Sequence, residues 1–273
     1  MFLLLVFGCA SGAVLTAFLA PRVLTVGRWQ MLHPRLALTA WFASFFLGIL
    51  LILTALLVSI VGAVTASSAH PHTEAVLLTP AAWLGLGGFG AALAFITASA
   101  STVVAHDGVP ERAFTALACS REKRSDFTLV RFESDQHVAC AVPGRHPEIL
   151  VSTAMEAALS LPQLQAVLAH EYAHLRARHG WAIRIARVNG ACLPNTRPGQ
   201  AFQQATRLLI ELTADDTAAR QAGAANLANA LSTLAEITGA EGLRLRAERV
   251  TARRWPPSKQ RRLPEAVRIA APA

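Results

Sequence analysis

Cysteine is scarce in this chain, and its four copies, Cys9, Cys119, Cys140 and Cys192, stand far apart. The absence of any CxxC pair argues against a cysteine-ligated metal site, and the scatter argues against a disulfide framework. Charge is sparse as well: Asp, Glu, Lys and Arg make up only 15% of the 273 residues, and 25 bases outnumber 17 acids. No repeat at a solenoid period occurs, which excludes a stacked-repeat architecture. What the chain has in excess is apolar surface. With 53% hydrophobic residues and a mean hydropathy of +0.40, it lies outside the range of an ordinary soluble domain.

That excess is concentrated at the start. Three runs free of charge, at about residues 2–20, 36–64 and 81–105, are at or near the length of about 20 residues that a helix needs to span hydrocarbon. None follows residue 105. The first run lacks the basic leader of a cleaved secretory signal and runs quickly into the second, so it is read as a retained anchor; the "VFGC" ending at Cys9 lacks the same leader and is not read as a lipoprotein cleavage site. Residues 21–35 carry Arg22, Arg28 and Arg35 and no acid, whereas residues 65–80 carry Glu74 and no base. Positive loops stay inside, so the N-terminus and the "HPHTE" loop are expected outside and everything after residue 105 in the cytoplasm of a multi-pass cell-membrane protein. All but three of the basic residues lie in that last part. The net charge of +8 therefore describes a face near anionic lipid, and no nucleic-acid partner is expected because no recognised module accompanies it.

Residues 106–131, with "CSREKRSDF", read as an exposed linker. "HVACAVPG" and "PEILVST" follow as two short strands separated by a Pro-Gly turn. A helix then begins at Ser160, where Gln163 three residues on completes a capping box and Pro162 sits where helices accept proline. Leu161, Leu164, Val167, Leu168 and Leu175 recur along it at helical spacing. Further helices are expected at about 201–222, stopped by Gly223, and 227–238, stopped by Gly239. Between the first two lies "WAIRIARVNGACLPNTRPG", which suits either a segment against a membrane surface or a helix extension with a loop.

The helix from Ser160 contains "HEYAH". Positions i and i+4 share a face, so His170 and His174 can present ring nitrogens to one metal ion. Glu171 is turned by about 100° and would sit beside that ion as general base for an attacking water, returning the proton to the leaving amine. A third ligand is needed. Glu211, in "ELTAD" on the next helix, supplies one, which makes the open two-histidine, one-carboxylate set of a catalytic zinc site, with one Zn2+ per chain. Asp215, one turn on, is positioned to accept the other ring N–H of a ligand histidine. Asp216 is expected to be exposed. His33 and His106 are expected at membrane interfaces and His70 and His72 in a solvated loop, while His137, His146 and His179 carry no assigned role.

The stretch "CAVPGRHPEILVSTAMEAALSLPQLQAVLAHEYAHLRARHG" with "LLIELTADDTAARQAG" resembles the membrane metallopeptidases of the BlaR/MecR type, in particular their short actinobacterial relatives, and more distantly the HtpX and Ste24 kind. The resemblance covers about residues 135–240. It implies a gluzincin-like zinc peptidase unit facing the cytoplasm, with His170, His174 and Glu211 as ligands, Glu171 as general base and Asp215 behind them. It also implies that an edge strand, at 139–142 or 149–152, holds a substrate peptide as an added strand. The chain departs from BlaR and MecR in showing no fourth span and no outside antibiotic-binding domain, so the protease module is what the resemblance carries over, with a cytoplasmic repressor as a candidate substrate.

The expected fold is a mainly α membrane protein. Three transmembrane helices occupy residues 1–105, a linker 106–131, and a cytoplasmic α+β gluzincin-like peptidase domain with a small β-sheet 132–240, followed by a basic tail from 241 to 273 available for anionic lipid. The expected partners are a protein or peptide substrate and the bilayer. The rival reading is a membrane scaffold without catalysis that docks partners on the tail, and a structural zinc site ranks last for want of a fourth ligand.

Overall fold

The computed structural model of the chain describes residues 2–69, 73–106, 114, 117–255, 257 and 262–269. His70 and His72 lie outside them. The chain forms two compact units, the first made of residues 1–105 with 184–207 and the second of 106–183 with 208–273.

In the first unit, helix α1 (Phe2–Leu24) leads through a short α2 (Trp29–Leu32) to α3 (Pro34–Ala69) and α4 (Thr73–His106). The absence of charge makes these helices long, because a helix satisfies its own backbone and needs no polar face where its surroundings are apolar. Three stretches, Phe2–Leu24, Pro34–Gly62 and Trp83–Ala105, are long and apolar enough to cross a membrane, and most of their side chains face outward. Close approach of α1 to α3 uses Gly12, where a Cβ would stand 3.3 Å from Leu51. Residues 184–207 belong to the same unit. Phe202 stacks on Phe45 (centroids 4.9 Å apart, planes 10° from parallel) and meets Phe42 edge-on at 5.1 Å. The segment that suited a membrane surface is thus mostly helical, forming α7 (His179–Cys192) and the start of α8 (Arg197–Ala218).

The second unit opens with a sheet. Strands β1 (Ala118–Lys123) and β2 (Thr128–Phe132) lie inside the stretch expected as a linker, so that stretch is part of the folded unit: Leu129 is buried on one face of β2 and Val130 and Phe132 on the other, which gives the strand two apolar faces. β3 (Ala139–Val142) and β4 (Glu148–Ser152) are the expected pair. The order is β1-β2-β4-β3, antiparallel except for the parallel pair of β2 with β4, so β3 is an edge. On one face Leu129, Ile149 and Val151 pack with Phe127 against Val167, Leu168 and Tyr172; on the other Val130, Phe132 and Leu150 form a smaller cluster with Phe114.

After a short α5 (Thr153–Ala158), helix α6 (Leu161–Arg176) starts as expected: Ser160 N–H donates 2.8 Å to Gln163 Oε1, completing the capping box. α8 ends in a single π turn, Ala219–Gly223, followed by α9 (Ala224–Thr238), which Gly239 closes at φ +69°. The expected free tail instead begins with α10 (Glu241–Ala252), whose Ala247 and Val250 are buried against the core under α6 and α9.

Candidate metal centre

Three helices and one strand supply the polar groups at the cleft. α6 presents His170, Glu171 and His174, α8 presents Glu211 and Asp215, α10 contributes Arg246, and β3 borders it with its free edge. His170 Nε2 lies 3.1 Å from His174 Nε2 and 3.4 Å from Glu211 Oε2, and His174 Nε2 lies 3.6 Å from Glu211 Oε1. A tetrahedral ion with bonds of about 2.0–2.2 Å holds its ligand atoms about 3.4 Å apart. The three side chains therefore already stand at the separations a zinc ion requires, with a donor set of two imidazole nitrogens and one carboxylate. They form the one group of this kind among the described residues.

Each histidine has a different partner beside its far nitrogen. Asp215, fully buried, places Oδ1 3.0 Å from His170 Nδ1, while His179 places Nδ1 3.1 Å from His174 Nδ1. Glu171 turns to β3 and accepts the Ala141 N–H at 2.9 Å. Register explains why that group is available. Ser152 N–H donates to the Val138 carbonyl at 2.9 Å, so Val138 and, two residues on, Cys140 face β4; Ala139 and Ala141 turn their N–H and C=O groups to the free edge.

Arg246 ties the acids together. Its Nε lies 2.8 Å from Asp215 Oδ2, its Nη2 2.7 Å from Asp215 Oδ1 and its Nη1 2.9 Å from Glu211 Oε2, a fork that suits guanidinium geometry. Sequence reading placed Arg246 in a docking tail and left His179 without a role. The position of His179, five residues after His174, was a signal that could have been weighed; for Arg246 no local pattern exists. Asp216 corrects another expectation, since it is buried and held by Arg249 Nη2 at 2.8 Å and Arg253 Nη1 at 2.6 Å. With Arg244 paired to Glu241, the tail's arginines up to Arg253 are committed to carboxylates.

The enclosed charges shape one another. Burial opposes protonation of His170, but Asp215 and Glu211 outweigh it and push its pKa up to about 10. Burial and the charge on His170 lower His174 to about 3. Against its own desolvation, Glu211 is drawn down to about 2 by His170 and Arg246, and Asp215 falls well below the usual carboxylate range for the same reasons. Burial raises Glu171 to about 7, partly countered by His170. One carboxyl poised near neutrality thus stands beside two that stay ionised, a division in which only the first suits proton transfer near pH 7.

The model of peptidase family M48 matches residues 109–265. The chain belongs to peptidase family M48. M48 peptidases are zinc metallopeptidases, and the matched M48 region contains the two histidines, both glutamates and Asp215 as well as α10 with Arg246. No curated protein and no solved structure matches the chain. The M48 membership covers the broader part of the resemblance read from the sequence, a membrane metallopeptidase, without reaching the BlaR/MecR type.

The cleft of this M48 unit has a volume of about 520 Å³ and a mostly apolar lining, including Val138, Val167, Ile183, Leu227, Leu231 and Leu243. His137 also lines it.

Proposed function

We propose that this M48 chain is a membrane-anchored, zinc-dependent endopeptidase that hydrolyses a protein held as an extended strand. The convergence of two Nε2 atoms and one carboxylate at zinc-ligand spacing, beside a carboxyl poised near pH 7, carries this reading. His170, His174 and Glu211 would hold the ion, which supplies Lewis acidity toward water and the scissile carbonyl. The chain's own residues do the rest. On the edge of β3, Ala139 and Ala141 turn N–H and C=O groups toward the substrate backbone, the Ala141 N–H being held by Glu171 until substrate enters, giving affinity with little dependence on sequence. Glu171 takes the proton of the attacking water and gives it to the departing amine, as a carboxyl near neutrality can do in both directions. Asp215 orients the His170 ring, and Arg246 keeps Asp215 and Glu211 ionised and in place.

The arginine distribution of the loop at residues 21–35 supports a cytoplasmic peptidase unit, and the basic residues beyond Trp255 support contact with anionic lipid. A cytoplasmic repressor as the substrate rests on the BlaR/MecR resemblance. A scaffold without catalysis would have no need of Glu171 beside the two histidines.

The test is elemental analysis of the detergent-purified chain beside His170→Ala, Glu211→Ala and Glu171→Gln. The expected result is about one zinc per chain in the wild type and Glu171→Gln, loss in the two ligand variants, and cellular substrate trapped by Glu171→Gln. Equal metal content in all four would return the site to an ordinary polar helix face.

A further inference from the structure

His170 and His174 are treated unequally by the fold. Behind His170 stands a carboxylate; behind His174 stands another imidazole. His174 Nε2 is the atom that faces His170 Nε2 and Glu211, so its Nδ1 points away, to His179 Nδ1 at 3.1 Å, with the two rings nearly perpendicular at 82° and their centroids 5.0 Å apart. Two ring nitrogens at that distance need one proton between them. We propose that His179 is a positioning residue for the metal site, accepting the Nδ1 proton of His174 and thereby keeping its Nε2 free to ligate; the proposal rests on the zinc reading above.

The proton count settles which ring donates. An imidazole that ligates through Nε2 in its neutral form carries its proton on Nδ1. His174 is then the donor, His179 the acceptor through Nδ1, and His179 carries its own proton on Nε2. Local structure delivers His179 to that place. α6 ends at Arg176, Arg178 adopts φ +52°, a left-handed conformation unusual for a residue with a side chain, and the chain turns so that His179, first residue of α7, folds back over His174. His179 is buried. Next to it, Gly180 lies so close to Pro143, 3.3 Å from where a Cβ would stand, that the turn is also pinned to the end of β3. A neutral acceptor leaves His174 a weaker donor than His170, whose partner is an anion, so the two nitrogen ligands are unequal by construction.

The test uses the full-length detergent-purified protein and zinc as the probe, with affinity read by competition against a chromophoric chelator. Loss of a group behind a ligand histidine typically weakens metal binding about 10- to 100-fold. His179→Phe, which fills the space without an acceptor, should show that loss, and His179→Asn, whose Oδ1 can stand where Nδ1 stood, should recover most of it. Affinity of His179→Phe within twofold of wild type overturns the proposal while leaving the zinc site intact. An equal loss in both variants also overturns it, because it marks a steric role. If the wild type binds no zinc, the metal reading fails first and this one with it. Should His179→Phe fail to fold, the cobalt-loaded His179→Asn protein carries the test: visible bands matching the wild type are expected, and shifted or absent bands refute the acceptor role.

Discussion

Metal binding to this site should release one proton, and the affinity should climb with pH. At neutral pH, His174, with its pKa near 3, is already neutral, and Glu211, near 2, is already ionised. His170 differs, because Asp215 and Glu211 hold its proton up to about pH 10 in the metal-free protein. An ion must displace that proton. At pH 7 the gap of three pH units weakens apparent binding about 1,000-fold, or about 4 kcal/mol, relative to the deprotonated site. Because the displaced proton is the only one required, the apparent zinc association constant should rise about tenfold per pH unit from pH 6 to 9. Glu171→Gln is the protein to measure, since it removes the site carboxyl that titrates near neutrality. Competition with a chromophoric chelator gives the affinity, and an indicator dye in weak buffer counts the protons. Asp215→Asn should flatten the slope by withdrawing the nearer carboxylate. A pH-independent affinity, or no proton released, would refute the picture of a cationic His170 between two anions. The same group bears on metal-free stability: its raised pKa contributes stability that is fully present below about pH 6.5 and lost as pH rises toward 10.

Asp216→Ala leaves Arg249 and Arg253 without their carboxylate; since Arg253 is partly open to solvent, the cost should be about 2–3 kcal/mol, seen as a fall in thermal midpoint, and an unchanged midpoint would mean that the pair is spare. Leu168→Ala opens a cavity between α6 and the sheet and should cost about 2–5 kcal/mol by the same measurement, with zinc content retained in protein that folds. Gly239→Ala meets no neighbour within 4 Å, so its cost of about 1 kcal/mol should come from the left-handed backbone alone, and Gly239→Asn should recover part of it.

Most of what repeats locally was legible along the chain. Charge-free runs become three long apolar helices, because nothing in them competes with backbone self-satisfaction. The capping box at Ser160 starts α6, and i, i+4 spacing puts His170 and His174 on one face whatever surrounds them. Glu211 and Asp215 were reachable by the same rule on a second helix, although the rule says nothing about which helix packs beside which. The polar stretch before residue 132 read as linker because β1 is almost wholly exposed and only its pairing with β2 makes it a strand.

The sequence by itself determined the residue types, their faces on each helix and the apolar start of the chain, since these depend on neighbours a few positions away. Only the tertiary structure decided that Arg246 reaches two carboxylates on α8, that Asp216 is buried, and that the free edge of β3 hands a backbone N–H to Glu171. Those contacts join residues tens of positions apart. They depend on how α8 and α10 pack against α6 and on which edge of the sheet is left unpaired, and no spacing along the chain encodes either.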